Sequence, residues 1–235
     1  MILYVNGDSH TAAAEAVNPY AFAEDDSKYF YMGRVAHPDN LAVSWGKLLS
    51  LSLRSGFHCA AESASSNARI IRTTREWLNN RASNNDVLVV IQWSTWEREE
   101  WEIDGAYYQI NASGVDDVPV SHRQQYREYI ANIDWQKSTE QAHEEIWKFH
   151  NELEKKKIKH IFFNGNNDFS KIKKQRAWKK SYIAPYDPAM TFDVVIKQQG
   201  FETVAANSWH FVRDGHSYFH RVILQYIITN KIIIT

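Results

Sequence analysis

Residues 2–5, Ile-Leu-Tyr-Val, form a short apolar run that stops at Asn6-Gly7 and gives way at once to Asp8-Ser9-His10. Consecutive β-branched, aromatic and aliphatic residues without polar alternation describe a strand buried on both faces, as in a parallel sheet covered by helices. Gly7 allows a sharp exit that lifts Ser9 out of the sheet. Further strands are expected at Phe57–Ala61, 87–92 and Lys159–Phe163. Helical periodicity falls between them: Leu41, Trp45, Leu48, Leu49 and Leu53 up to the stop at Gly56; Ile70, Ile71, Thr74, Trp77 and Leu78 behind a Ser66-Asn67 cap; and Ile146, Phe149 and Leu153 in a helix that starts at Ser138-Thr139-Glu140. A short helix near 190–199 and a final one over Phe219–Ile228 complete the series. Strands alternating with helices predict an α/β fold, a three-layer α/β/α sandwich with a mostly parallel central sheet. In such sheets ligands sit at the carboxyl edge, where Ser9 falls.

Two long excursions interrupt the alternation. Residues 11–40 hold Asn18-Pro19, His37-Pro38-Asp39-Asn40 and several aromatics, and residues 96–137 are rich in Glu, Tyr and Trp. Both follow strands and are expected to wall the pocket. The whole chain, 1–235, reads as a single domain. Its hydrophobic fraction of 44% and charged fraction of 23% suit a globular protein. No apolar run approaches the roughly 20 residues of a membrane helix, and the amino terminus has no basic flank and apolar segment, so neither a membrane partner nor a signal peptide is expected. The net charge of −1 gives no reason to expect nucleic acid. Locally, residues 171–180 gather basic side chains around Trp178, a solvated face or a grip for an acidic sugar. The lone Cys59 reads as a buried small residue.

Near the other end of the chain, Asp214-Gly215-His216 stands just ahead of the final apolar helix. A serine at one end and an Asp/His pair at the other are the parts of a nucleophile, a base and an orienting carboxylate. In Gly7-Asp8-Ser9 and Asp214-Gly215-His216 the sequence resembles the SGNH (GDSL-like) hydrolase superfamily, which opens on a Gly-Asp-Ser block and closes on an Asp-His block before its last helix. The family's second block, roughly Asn-x-Gly-x-x-Gly-x-Thr, is matched in spacing by Cys59 to Ser66, with Ala64 at the oxyanion glycine. Its third, Gly-x-Asn-Asp, is replaced by Gln92-Trp93-Ser94-Thr95, with Ser94 at the asparagine. The closing block has Asp-x-His where Asp-x-x-His is commoner, a shortening similar to polysaccharide-modifying and phage-encoded members.

The resemblance implies a flavodoxin-like sheet and a serine ester hydrolase without cofactor or metal. Ser9 would attack, His216 take its proton, and Asp214 orient His216. The N–H groups of Ser9 and Ala64, with Ser94, would hold the oxyanion. An O-acyl ester, small or on a carbohydrate, is the implied substrate; Trp93, Trp96, Asn166 and His10 are candidates to line its pocket, and His10 is an alternative base. Transfer of the acyl group to another alcohol would use the same residues. A second reading is a binding module for carbohydrate or a virion, catalytically weakened at Gln92, Ser94 and Ala64. A third is a metal site of Asp214, His216 and His220. A cytoplasmic or virion-associated protein is expected.

Overall fold

The structure, a computed structural model, describes residues 1–21, 35–112, 114–115 and 118–233. Strands β1 (Ile2–Asn6), β2 (Gly56–Cys59), β3 (Val87–Trp93) and β6 (Lys159–Asn164) make one parallel sheet in the order β2-β1-β3-β6. Helices α1 (Pro38–Ala42) and α2 (Trp45–Ser52) join β1 to β2, and α3 (Asn67–Asn79) joins β2 to β3. Between β3 and β6 lie an antiparallel hairpin, β4 (Glu99–Ile103) and β5 (Ala106–Ile110), then α4 (Arg123–Ala131) and α5 (Trp135–Lys155). Helices α6 (Phe192–Gln198) and α7 (Arg213–Asn230) finish the chain.

Period-two alternation along the strands divides the core into two layers. Tyr4, Val87, Val89, Ile91 and Trp93 join Ile70 of α3 with Ile146 and Phe149 of α5. Leu3, Val5, Leu88 and Val90 join Trp45 of α2, Phe192 of α6 and Ile223 of α7 on the opposite face. Strand β3 is buried along its whole length. Each large side chain so buried contributes about 1.5–3 kcal/mol, and the expected three-layer α/β/α architecture is the one found.

Several boundaries differ from expectation, each for a local reason. The helix expected over 41–55 is two, because Ser44 turns out of helical geometry and its Oγ accepts the Lys47 N–H at 3.1 Å, capping α2. Helix α5 begins at Trp135 rather than Ser138, capped by Asp134, whose Oδ1 accepts the Lys137 N–H at 3.0 Å. The excursion 96–137 is largely ordered structure: its hairpin turns on Asp104-Gly105, with φ of 51° and 77°, a pair suited to a tight two-residue turn. Helix α7 begins at Arg213, not at Phe219, so Asp214 and His216 lie inside it. Ile232 and Ile233 pack on the α2/α7 layer. Among the described residues no helix is long and apolar enough to cross a membrane.

Candidate active site

The Gly7-Asp8-Ser9 turn is built around a buried carboxylate. Asp8 Oδ1 accepts the His10 N–H at 3.0 Å and Gln92 Nε2 at 2.8 Å, while Oδ2 accepts Ser94 Oγ at 3.0 Å and Arg98 Nη1 at 3.1 Å. Burial pushes this carboxyl up, but the His10 and Arg98 charges, the His10 N–H and the Ser94 hydroxyl outweigh it and hold its pKa below the ordinary value. Gln92 Oε1 accepts Thr11 Oγ1 at 2.8 Å, tying the turn to β3. Gly7 is needed for closeness rather than for an unusual φ: a Cβ there would lie 2.3 Å from Thr11 Oγ1. Ser9 follows Asp8, 7% exposed, with its carbonyl accepting the Ala14 N–H at 3.0 Å.

Three imidazoles gather beside this turn. The buried His10 ring lies 5.4 Å from the His210 ring and packs on Phe192 and Phe211. His210 Nδ1 is 2.6 Å from Glu15 Oε2, and the same oxygen accepts Ser208 Oγ at 3.2 Å. A carboxylate only accepts, so Nδ1 carries the proton and Nε2 keeps its lone pair. His216 is buried, its ring 5.9 Å from Phe192. Burial, with the nearby His10 and His210 charges, drives its pKa down to about 3. Burial likewise lowers His10 to about 4, the Asp8 charge opposing and the His210 and Arg98 charges adding to the fall.

Asp214 does not reach His216. Its side chain is 71% exposed, 3.7 Å from Arg213 Nε, and His216 Nδ1 has no hydrogen-bond partner. The cause is the early start of α7: residues two apart on a helix lie about 200° around its axis, so one faces solvent when the other faces the core. The pair that does join, Glu15 and His210, spans 195 residues and escaped the sequence reading. One signal was there, since Asn207-Ser208-Trp209-His210 has the commoner four-residue spacing of the closing block, with an amide for the carboxylate.

On the side of β2, the Glu62 N–H donates to the Gly7 carbonyl at 3.3 Å, which brings the segment bearing Ala64 to the Ser9 turn. Ala64 has φ of 59°, the left-handed region that favours glycine. Ser94 departs from the expected oxyanion role: its hydroxyl has one proton and gives it to Asp8, while accepting from Arg98 Nη1 at 2.9 Å. Its backbone N–H is held by Asn67 Oδ1 at 2.9 Å.

The aromatic candidates also shift. Trp93 is fully buried, its ring edge-on to Phe149 and Phe162, so it belongs to the core and offers no face to a sugar. Trp96 is 6% exposed and stacked on Phe169 at 4.7 Å, yet it lines a cavity of about 240 Å³ with Asn67, Arg98, Glu100 and Gln141. Asn166 is exposed just beyond β6.

In the first excursion, residues 11–14 are buried. Asn40 Oδ1 accepts the N–H groups of Val17 and Asn18, and its Nδ2 donates to the carbonyls of Asn18 and Tyr20. Its aromatics Phe22, Tyr29, Phe30 and Tyr31 lie outside the described residues. Trp178 is packed among Trp147, His150 and Tyr182 while the lysines around it face solvent, so it does not stand at the centre of a binding face. The Cys59 thiol is pushed up by burial to about 11, which leaves it unreactive. Asp214, His216 and His220 do not converge on one point; among the described residues the group that does is His150, Glu154 and His160.

No curated protein is a detectable sequence relative of the chain. Over 97% of each chain it is similar in structure to a psychrotrophic esterase, EstA, from Pseudoalteromonas sp., solved in a form inhibited by monoethylphosphonate, with 11% identity and a TM-score of 0.44. Residues 35–160, more than half of the sequence, match a family of unknown function, DUF6071, and the chain belongs to that family.

Proposed function

We propose that the chain is a serine ester hydrolase in which Ser9 is the nucleophile and His210, oriented by Glu15, is the general base. The observation that carries this reading is the 2.6 Å contact between His210 Nδ1 and Glu15 Oε2, next to a serine turn held rigid by Asp8. A serine hydroxyl needs a neighbouring base, and that base needs a partner that fixes its tautomer and stabilises its charged form. His10 and His216, held down at about 4 and about 3, have little appetite for a proton at neutral pH.

In the first step Ser9 Oγ attacks the ester carbonyl as its proton passes to His210 Nε2. Glu15 stabilises the imidazolium, and the N–H groups of Ser9 and Ala64 receive the charge on the carbonyl oxygen. His210 then returns the proton to the departing alcohol. Water, deprotonated by the same imidazole, releases the acid from Ser9. The resemblance to SGNH hydrolases supports an O-acyl ester, such as an O-acetyl group on a carbohydrate, as the substrate. An alcohol in place of water would make the same residues an acyltransferase.

A serine-directed fluorophosphonate tests the assignment. Wild-type protein is expected to be labelled once; Ser9→Ala abolishes labelling, and His210→Gln slows it sharply while Asp214→Asn leaves it unchanged. Loss of labelling in Asp214→Asn with retention in His210→Gln would return the base to His216. A wild-type chain that resists the reagent and hydrolyses neither nitrophenyl esters nor acetylated sugars would instead favour the binding-module reading.

A further inference from the structure

We propose that His150, Glu154 and His160 form a binding site for a divalent transition-metal ion of the zinc class, at the end of the sheet opposite Ser9. His150 and Glu154 are one turn apart on α5, so both project from the same face of that helix. His160 is the second residue of β6, brought back beneath α5 by a reversal at Lys157, whose φ is 56°. One ligand atom from each residue lies within 4.8 Å of the others.

The hydrogen bonding leaves the ligand atoms facing one another. His160 Nδ1 is 2.8 Å from the Ile158 carbonyl, which only accepts, so that nitrogen carries the proton and Nε2 presents a lone pair. Nε2 is 2.8 Å from His150 Nδ1, which must then be the donor of that pair. A backbone carbonyl holding the far nitrogen of an imidazole is also the usual support of a metal-ligating histidine.

A cation entering here takes the place of the shared proton. His150 moves its proton from Nδ1 to Nε2, both rings offer lone pairs, and no proton is lost overall. Two nitrogens on a tetrahedral zinc stand roughly 3.3 Å apart, so the rings need to part by only about half an ångström. Glu154, 41% exposed, supplies a charged third ligand at the solvent side and leaves a fourth position to water.

Two imidazoles and a carboxylate suit zinc, cobalt or nickel better than calcium or magnesium, which favour oxygen ligands. The rings of Trp147 and Trp178, 5.1 and 5.5 Å from His150, close the inner side and place a reporter beside the site. Lys179 Nζ, 3.6 Å from Glu154, competes with the cation for the carboxylate.

The test uses the full chain, cleared of metal with a chelator and titrated with Co²⁺ and then Zn²⁺. One equivalent of Co²⁺ is expected to give visible d–d absorption and to quench tryptophan fluorescence, with Zn²⁺ reversing both. Zn²⁺ in hundredfold excess over its Kd raises the melting temperature by roughly 5 °C. Glu154→Gln, a substitution at an exposed position, weakens binding on the order of tenfold or more while leaving the metal-free melting temperature unchanged. His160→Gln weakens it further, and Lys179→Met tightens it. Absence of Co²⁺ and Zn²⁺ binding, or binding that Glu154→Gln and His160→Gln both leave unchanged, would overturn the proposal.

Discussion

The two ends of the sheet each hold a histidine cluster, and the clusters are finished differently. At the amino end His150 and His160 satisfy each other and a backbone carbonyl. At the carboxyl edge His210 has a carboxylate partner, while His10 Nδ1 and His216 Nδ1 are buried with no hydrogen-bond partner among the described residues. Buried polar atoms normally find partners. Two buried imidazole nitrogens left without one set the carboxyl edge apart from the amino end. Partners, not residue type, separate the two clusters.

The sharpest way to break this contrast is at the carboxyl edge. His210→Gln should lower kcat/KM on a nitrophenyl ester by about four orders of magnitude and Glu15→Gln by about two or more. Asp214→Asn should leave it unchanged; equal losses for Asp214→Asn and Glu15→Gln would erase the distinction. The next effect is on stability against pH. His10 and His160 at about 4, and His216 at about 3, lie below the ordinary 6.5. Below that value the unfolded chain takes up protons that the folded chain refuses. The stability is therefore complete above pH 6.5 and lost as pH falls toward about 4, and then about 3, the shift being worth on the order of 3 kcal/mol for His10 and for His160 and on the order of 5 kcal/mol for His216. Urea melts across that window should show the fall, and His216→Gln should flatten it. A flat wild-type profile would mean that the clusters are not kept neutral.

Smaller effects sharpen the account of the turn. Asp8→Asn leaves the Arg98 guanidinium facing an uncharged amide and should cost about 2 kcal/mol in chemical denaturation. Ala64→Gly removes left-handed strain but frees the unfolded chain, for a net gain under about 1 kcal/mol, whereas Ala64→Val should destabilise. A loss of stability in Ala64→Gly would show that the alanine methyl matters more than its backbone.

Strands buried on both faces announce themselves locally, which is why Ile2–Asn6 and Val87–Trp93 were legible from composition alone. The hairpin was also writable from Asp104-Gly105, but the Glu- and Tyr-rich flanks hid its alternation among what read as an excursion. Of the candidate site, the place of Ser9 just past the carboxyl end of β1 was legible. His216 was read as the base because Asp214 stands two residues away, yet a separation of two on a helix means opposite faces, and Glu15 reaches His210 only through the tertiary fold. Trp93 was misplaced for a similar reason: position after a strand end gives no information about which face an indole takes.

The partners of Asp8 carry one more implication, for the order in which the molecule forms. Gln92, Ser94 and Arg98 lie 84, 86 and 90 residues downstream, and all of them come from β3 or the segment just after it. Before β1 and β3 pair, the Ser9 turn has no brace, and a flexible Gly-Asp-Ser segment has no reason to hold its shape. Loop closure over such a distance is entropically slow and belongs to the cooperative step of folding. A refolding chain should therefore recover phosphonate reactivity in step with its global fold, never ahead of it, and hydrogen exchange at the His10 amide should report whole-molecule opening rather than local fraying.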